Sequence, residues 1–275
     1  ILHKRIAQPL PRLIGIMALC LLMTSALAQE REVASERFPL RVETVAAGLE
    51  HPWSVAFLPD GRMLLTERPG RMRIVTSDGQ LSAPLPGLPP VVARGQGGLL
   101  DVVLAPDFAE SRQVFWSYAE RRGDGNGTSV ARGRLVNDRL EDVKVIFRQL
   151  PAVDSNGHFG SRLVFARDGA LFVTLGERQA RHFAVRAQDL ETHFGKIVRL
   201  DRDGKALPDN PFLRVAGAAP EIWSYGHRNV QGAALHPQTG ELWTVEHGPK
   251  GGDELNIARA GANYGWSLAT HGIAY

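Results

Sequence analysis

His158, in the run Ser155-Asn-Gly-His158-Phe-Gly-Ser-Arg162, carries the most evident chemistry of the chain. An imidazole titrates near neutrality and is the usual general base for removing a hydroxyl proton. Gly157 and Gly160 flank it, and Glu177 of Leu175-Gly-Glu177-Arg178 closes the β-rich pair that follows. Three further clusters have the same polar, glycine-rich character. In Arg94-Gly-Gln96-Gly-Gly-Leu99 the glycines let the backbone bend and bring one amide side chain against a ligand, and a plain turn accounts for the run equally well. In Trp223-Ser-Tyr-Gly-His-Arg228-Asn229-Val-Gln-Gly232 a guanidinium beside an amide suits an anionic or carbonyl-rich ligand, with a salt bridge between sheets as the alternative. In Glu246-His-Gly-Pro-Lys-Gly-Gly-Asp253-Glu254-Leu-Asn256 the loop exposes backbone carbonyls, and three side chains add oxygen. Hard oxygen donors of this kind suit Ca²⁺, although the spacing is not that of an EF-hand.

These clusters sit just outside short β-rich runs, and the runs repeat. Trp53-Ser-Val-Ala-Phe-Leu-Pro-Asp-Gly61 followed by Met63-Leu-Leu-Thr66 is matched by Arg162-Leu-Val-Phe-Ala-Arg-Asp-Gly169 followed by Leu171-Phe-Val-Thr174. Looser copies run from Leu100 to Ser117 and from Gly232 to Val245. Each copy reads as strand, tight turn, strand. Repetition at about 50 to 70 residues is what radial β-sheet blades give, and the repeated apolar face favours a β-propeller over a β-sandwich. No amphipathic helix longer than two turns is expected. Four or five units fit, and the chain stops at His271-Gly-Ile-Ala-Tyr275 without a closing strand, so a C-terminally truncated propeller is expected.

The 275 residues hold 32 basic and 29 acidic side chains. Residues 1–28 read as a secretory signal peptide: Lys4, Arg5 and Arg12 without an acid, an apolar stretch from Leu13 to Met23, then Ala26-Leu27-Ala28. Their removal takes three bases and leaves the charges balanced, which argues against nucleic acid as a partner. Cys20, the single cysteine, leaves with them. The apolar run is shorter than the roughly 20 residues that cross a bilayer, so the expectation is a periplasmic or secreted bacterial protein with no span after cleavage. Residues 29–40 read as a polar lead-in and 41–275 as the partial propeller domain.

Taken together and in order, the clusters resemble the soluble aldose sugar dehydrogenases that use pyrroloquinoline quinone, the glucose/sorbosone dehydrogenase-like family. The resemblance runs from about Gly48 to Tyr275. It rests on Pro52-Trp53 with Phe57-Leu-Pro-Asp-Gly61 and Thr66-Glu-Arg68, on Asn156-Gly-His158, on Gly226-His-Arg-Asn229, and on Glu246-His-Gly-Pro249 with Asp253-Glu254-Leu-Asn256. It implies an all-β, six-bladed propeller, truncated here, that oxidises an aldose at the anomeric carbon to the lactone. It further implies His158 as general base, Glu177 orienting its ring, and Arg228 stabilising charge on the quinone. Gln96, Arg228, Asn229 and Tyr275 match cofactor contacts. Gly248 and Pro249 match carbonyl ligands of a cofactor-bridging Ca²⁺, and Glu254 and Tyr264 match ligands of a second, structural calcium. The family's C-terminal blades add basic residues for the quinone's carboxylates, so the chain as given is expected to bind it weakly, with activity expected of the full-length protein. A calcium-dependent propeller lactonase or esterase, and a non-catalytic carbohydrate-binding propeller, stay open as alternatives, and the aldose and the physiological electron acceptor are unspecified.

Overall fold

A computed structural model describes residues 30–273. Residues 1–28, the expected signal peptide with Cys20, and Tyr275 lie outside the described residues. The chain divides into two compact units, residues 1–44 and 45–275. In the first, β1 (Glu30–Val33) and β2 (Leu40–Glu43) form a two-stranded antiparallel ribbon, across the segment expected as a polar lead-in and the residues just after it.

The second unit holds four antiparallel sheets, each a meander whose strands neighbour one another in chain order. The first contains β3 (Pro52–Phe57), β4 (Met63–Glu67) and β5 (Arg71–Val75). The second contains β6 (Leu99–Leu104), β7 (Gln113–Arg122), β8 (Gly125–Val136) and β9 (Arg139–Arg148). The third contains β10 (Leu163–Phe165), β11 (Leu171–Thr174), β12 (Lys196–Leu200) and β13 (Ile222–Tyr225). The fourth contains β14 (Val230–Leu235), β15 (Leu242–Glu246) and β16 (Glu254–Ile257). The repeated phrase is the first hairpin of each sheet. In its two best copies the turn has the same form: Gly61 and Gly169 adopt φ of 85° and 84° and donate to Leu58 and Ala166. A side chain would strain that left-handed conformation. The helical segments among the described residues are single turns, and none is long and apolar enough to cross a membrane.

The first strand of each sheet lies against the first strand of the next: β3 on β6, β6 on β10 and β10 on β14. This fanning of sheets about their innermost strands is propeller-type, not the face-to-face pairing of a sandwich. Among the described residues the sheets do not close into a ring. The core lies between consecutive sheets. Leu64, Met72 and Ile74 pack on Leu99, Val102 and Trp116. Phe115, Val130 and Phe147 pack on Leu171, Val173 and Val198. Phe172 and Ile197 join Leu242. A sheet with a neighbour on each face must be apolar on both, and accordingly every residue of β11 and β12 is buried.

Polar groups tie the inner strands in series. Ser54 Oγ and Arg162 Nη1 donate to Asp101 Oδ1 at 2.6 and 2.8 Å, Leu163 N donates to Oδ2 at 2.7 Å, and Arg162 Nε donates to the Gln231 carbonyl at 3.2 Å. Hydroxyls repeat the theme one strand out: Thr66 donates to Leu100 O, Ser117 to Ser161 O and Thr174 to Val230 O. Replacing Asp101 by Ala strands Arg162, Ser54 and the Leu163 amide together. Asp101→Ala is expected to lower unfolding free energy by about 3 kcal/mol, and Ser54→Ala by about 1 kcal/mol, in urea denaturation.

Candidate active site

Because each second strand runs antiparallel to the first, the segments before β6, β10 and β14 emerge at the same end of their sheets as those after β11 and β15. Four of the sequence clusters fall in these segments. The interlock begins with Gln96. Its amide N–H donates to the Asn156 carbonyl at 2.8 Å, and its side-chain Oε1 accepts the His158 N–H at 2.8 Å. Its side-chain NH₂ has no partner among the described residues.

His158 is 4% exposed, so it is not a solvated loop residue, and its backbone is left-handed at φ 48°. Its Nδ1 comes to 2.9 Å from Oε2 of Glu177, which is 1% exposed. The contact is an ion-pair distance without the alignment of a full hydrogen bond, and Nδ1 has no other acceptor. Nε2 is the ring nitrogen left free. Glu177 is fixed in turn: its N–H donates to Arg228 O at 3.0 Å, and the Gln179 amide donates to its Oε2. Ser161, Arg178 and Gln179 also have positive φ. Such a concentration of strained residues persists only where the surroundings over-determine it, as in functional sites.

Arg228 has no carboxylate against its guanidinium among the described residues. Nη1 donates to the His247 carbonyl at 3.0 Å, the group lies 5.3 Å from the Trp266 ring centroid, and Nε is buried without a partner. The salt-bridge alternative for this residue is therefore replaced by a cation left available to a ligand. Its main-chain N–H donates to Glu246 Oε2 at 2.6 Å. Burial alone would raise the Glu246 carboxyl, but the His227 imidazole, the Arg228 amide and Asn256 outweigh it and hold the group below the ordinary range. Asn229, 2% exposed, accepts the Gly160 N–H on Oδ1 at 3.0 Å.

Gln96, His158, Arg228, Asn229, Gly248 and Pro249 line one cavity of about 480 Å³, a size suited to a small organic ligand. Gln179, Gln231, His247, Lys250 and Asp253 complete much of its wall. Gln179 went unassigned in the sequence because nothing in its spacing marks it, and Lys250 stands in the fourth cluster without a role. Gln231 and His247 stand inside quoted clusters, bonded to each other at 3.0 Å. Asp253 Oδ1 accepts the Gly248 N–H at 2.8 Å and so shapes the loop. Glu177 lies behind His158, Glu254 borders an adjoining smaller hollow, and Tyr264 stacks on His227 at 4.5 Å, away from the cavity. A larger hollow, about 930 Å³, lies at the outer turns near Asp60 and Asp138. There Arg62 is already paired with both carboxylates at 2.8 Å.

Residues 49–275 match the family described as glucose/sorbosone dehydrogenase. Aldose sugar dehydrogenase YliI of Escherichia coli K12 is 52% identical over 240 residues, which cover 86% of this chain and 64% of that protein. The solved apo form of soluble aldose sugar dehydrogenase from Escherichia coli is similar with a TM-score of 0.80 and 52% identity, over 82% of this chain and 66% of that one. The PQQ-bound form of aldose sugar dehydrogenase from Streptomyces coelicolor is similar with a TM-score of 0.70 and 31% identity, over 88% and 68%. The chain thus spans about 64% of the length of the first of these relatives.

Gly176 tests how tightly the site is set, because a Cβ there would overlap the His158 carbonyl and the Asn229 amide oxygen. Gly176→Ala is expected to destabilise the protein by about 1–3 kcal/mol and to displace the His158 backbone, read by thermal unfolding and by the crystal structure of the variant.

Proposed function

The chain belongs to the glucose/sorbosone dehydrogenase family, and on that premise we propose that it builds the catalytic face of an exported, pyrroloquinoline-quinone-dependent dehydrogenase that oxidises aldoses to lactones. The observation that carries the reading is the single cavity that His158, Arg228, Asn229, Gly248 and Pro249 line together. The six-bladed ring belongs to the same proposal, supported by the four fanned sheets.

His158 Nε2 takes the proton from the anomeric hydroxyl, and Glu177, 2.9 Å from Nδ1, holds the ring and balances the charge it gains. When bound, the quinone supplies the acceptor for the hydride that leaves the anomeric carbon, and Ca²⁺ supplies Lewis-acid polarisation of its carbonyl. Arg228 and Asn229 present fixed donors to that carbonyl region, and Gln96 offers its free NH₂ beside them. The residues fit the group: the partnerless Arg228 Nε and the amide-rich wall suit a carboxylate-bearing planar ligand. The Gly248 and Pro249 carbonyls accept no backbone hydrogen bond among the described residues, so they remain available to a hard cation. Glu254 and Tyr264 are assigned to a second calcium. The Tyr264 hydroxyl is itself bonded to Ile257 O and the Arg259 N–H. Tyr275 is assigned to the quinone.

A hydrolytic reading has one specific attraction, a Ser224–His227–Glu246 series with both contacts at 2.9 Å. Ser224 and His227 are both 0% exposed, so no ester or lactone reaches them. The series instead braces Glu246, which holds the Arg228 main chain.

Reconstitution of the full-length protein with pyrroloquinoline quinone, Ca²⁺, glucose and an artificial electron acceptor tests the proposal. Dye reduction is expected, falling about 10²- to 10⁴-fold in His158→Gln while quinone binding persists. Lactone hydrolysis without quinone would overturn it. Chelation of Ca²⁺ is expected to abolish dye reduction reversibly, measured by re-addition of the metal.

A further inference from the structure

Arg178 follows Glu177 in the chain but enters the protein interior, because two consecutive left-handed residues, Arg178 at φ 73° and Gln179 at φ 70°, turn the backbone. Three successive side chains are thereby sent to three places: Glu177 to His158, Arg178 beneath the loop, and Gln179 to the cavity wall. The Arg178 guanidinium is 0% exposed. Its Nη2 donates to Asn126 Oδ1 at 2.6 Å and to the Ser155 carbonyl at 2.9 Å, and its plane lies 3.7 Å from the Phe159 ring centroid. Ser155 Oγ returns a bond to the Arg178 carbonyl at 2.7 Å.

We propose that Arg178 is a positioning residue that clamps the His158 loop from below, holding Ser155 on one side of the histidine and Phe159 on the other. The anchor is the second sheet. Asn126, at the start of β8, is 4% exposed and bridges its backbone to Val153 in both directions, at 2.9 and 3.0 Å. The loop is thus tied to a long, buried hairpin, and the tie needs a planar cation. Nη2 alone donates, Nε and Nη1 being buried without a partner among the described residues, and the flat face of the group lies over the Phe159 ring, a contact an ammonium cannot reproduce. Burial is the main influence on the group and pulls the Arg178 guanidinium down to about 9, with nearby Arg122 acting in the same sense and Glu177 opposing. The charge is retained despite that burial, in contact with Ser155 and Phe159 on either side of the left-handed His158.

The kinetic consequence rests on the function proposed above; the clamp itself does not. Arg178→Lys and Arg178→Met are therefore read first by hydrogen exchange. The His158 and Gly160 amides, held by Gln96 and Asn229, are expected to exchange about tenfold faster in both variants, with β11 and β12 unchanged. In the reconstituted dehydrogenase kcat is expected to fall about tenfold with sugar KM changed less than about twofold and quinone affinity retained. Unchanged exchange at His158 and Gly160, or exchange that rises equally in the strands, overturns the clamp. Faster local exchange in a protein whose wild type oxidises no aldose supports the clamp and sinks the dehydrogenase reading instead.

Discussion

The inner strands meet through a buried carboxylate. Asp101 on β6 receives Ser54 from β3 and the Arg162 guanidinium and Leu163 amide at the head of β10, while the same guanidinium reaches Gln231 on β14. Apolar contact between sheets is non-directional and tolerates sliding. Hydrogen bonds to one carboxylate do not, because each must keep its length and angle. The heads of the inner strands are therefore held in fixed relation, and the loops that precede them are delivered to one mouth. Trp53, with the Arg162 guanidinium 4.6 Å from its ring, seals the same junction from the first sheet.

Above that junction the polar groups are arranged in pairs that each free one partner. Gln96 uses Oε1 on the His158 amide, which leaves its NH₂. Asn229 uses Oδ1 on the Gly160 amide, which leaves its NH₂ as well. Glu177 spends Oε2 on His158 and Gln179, which leaves His158 Nε2 facing the cavity. The result is a wall of donors around one potential base, set by second partners that are themselves buried. Preorganisation of this kind avoids reorienting dipoles when charge develops in a reaction.

His227 and Glu246 show how a catalytic-looking series can be structural. Its three members are aligned but buried: Ser224 lies on β13 of the third sheet, Glu246 ends β15 of the fourth, and His227 between them stacks on Tyr264. Accessibility, not mutual distance, decides its role, and that role is to fix Arg228 through its main chain.

Much of this was legible in the residues. The repeated hairpins gave the sheets because period-two apolar patterning and Asp-Gly turns are local properties, and the same patterning excluded long helices. Histidine between glycines, Arg beside Asn, and a carbonyl-rich loop announced chemistry by residue type alone. What the sequence could not contain was proximity. That Gln96 bonds His158 across 62 positions, or that Arg228 faces a carbonyl and not a carboxylate, follows from how sheets stack, which no local pattern encodes. Gln179 and Arg178 illustrate the limit most plainly. Adjacent in the chain, they point to the cavity and to the interior because two left-handed residues turn the backbone there, and only the packed loop holds it in that conformation.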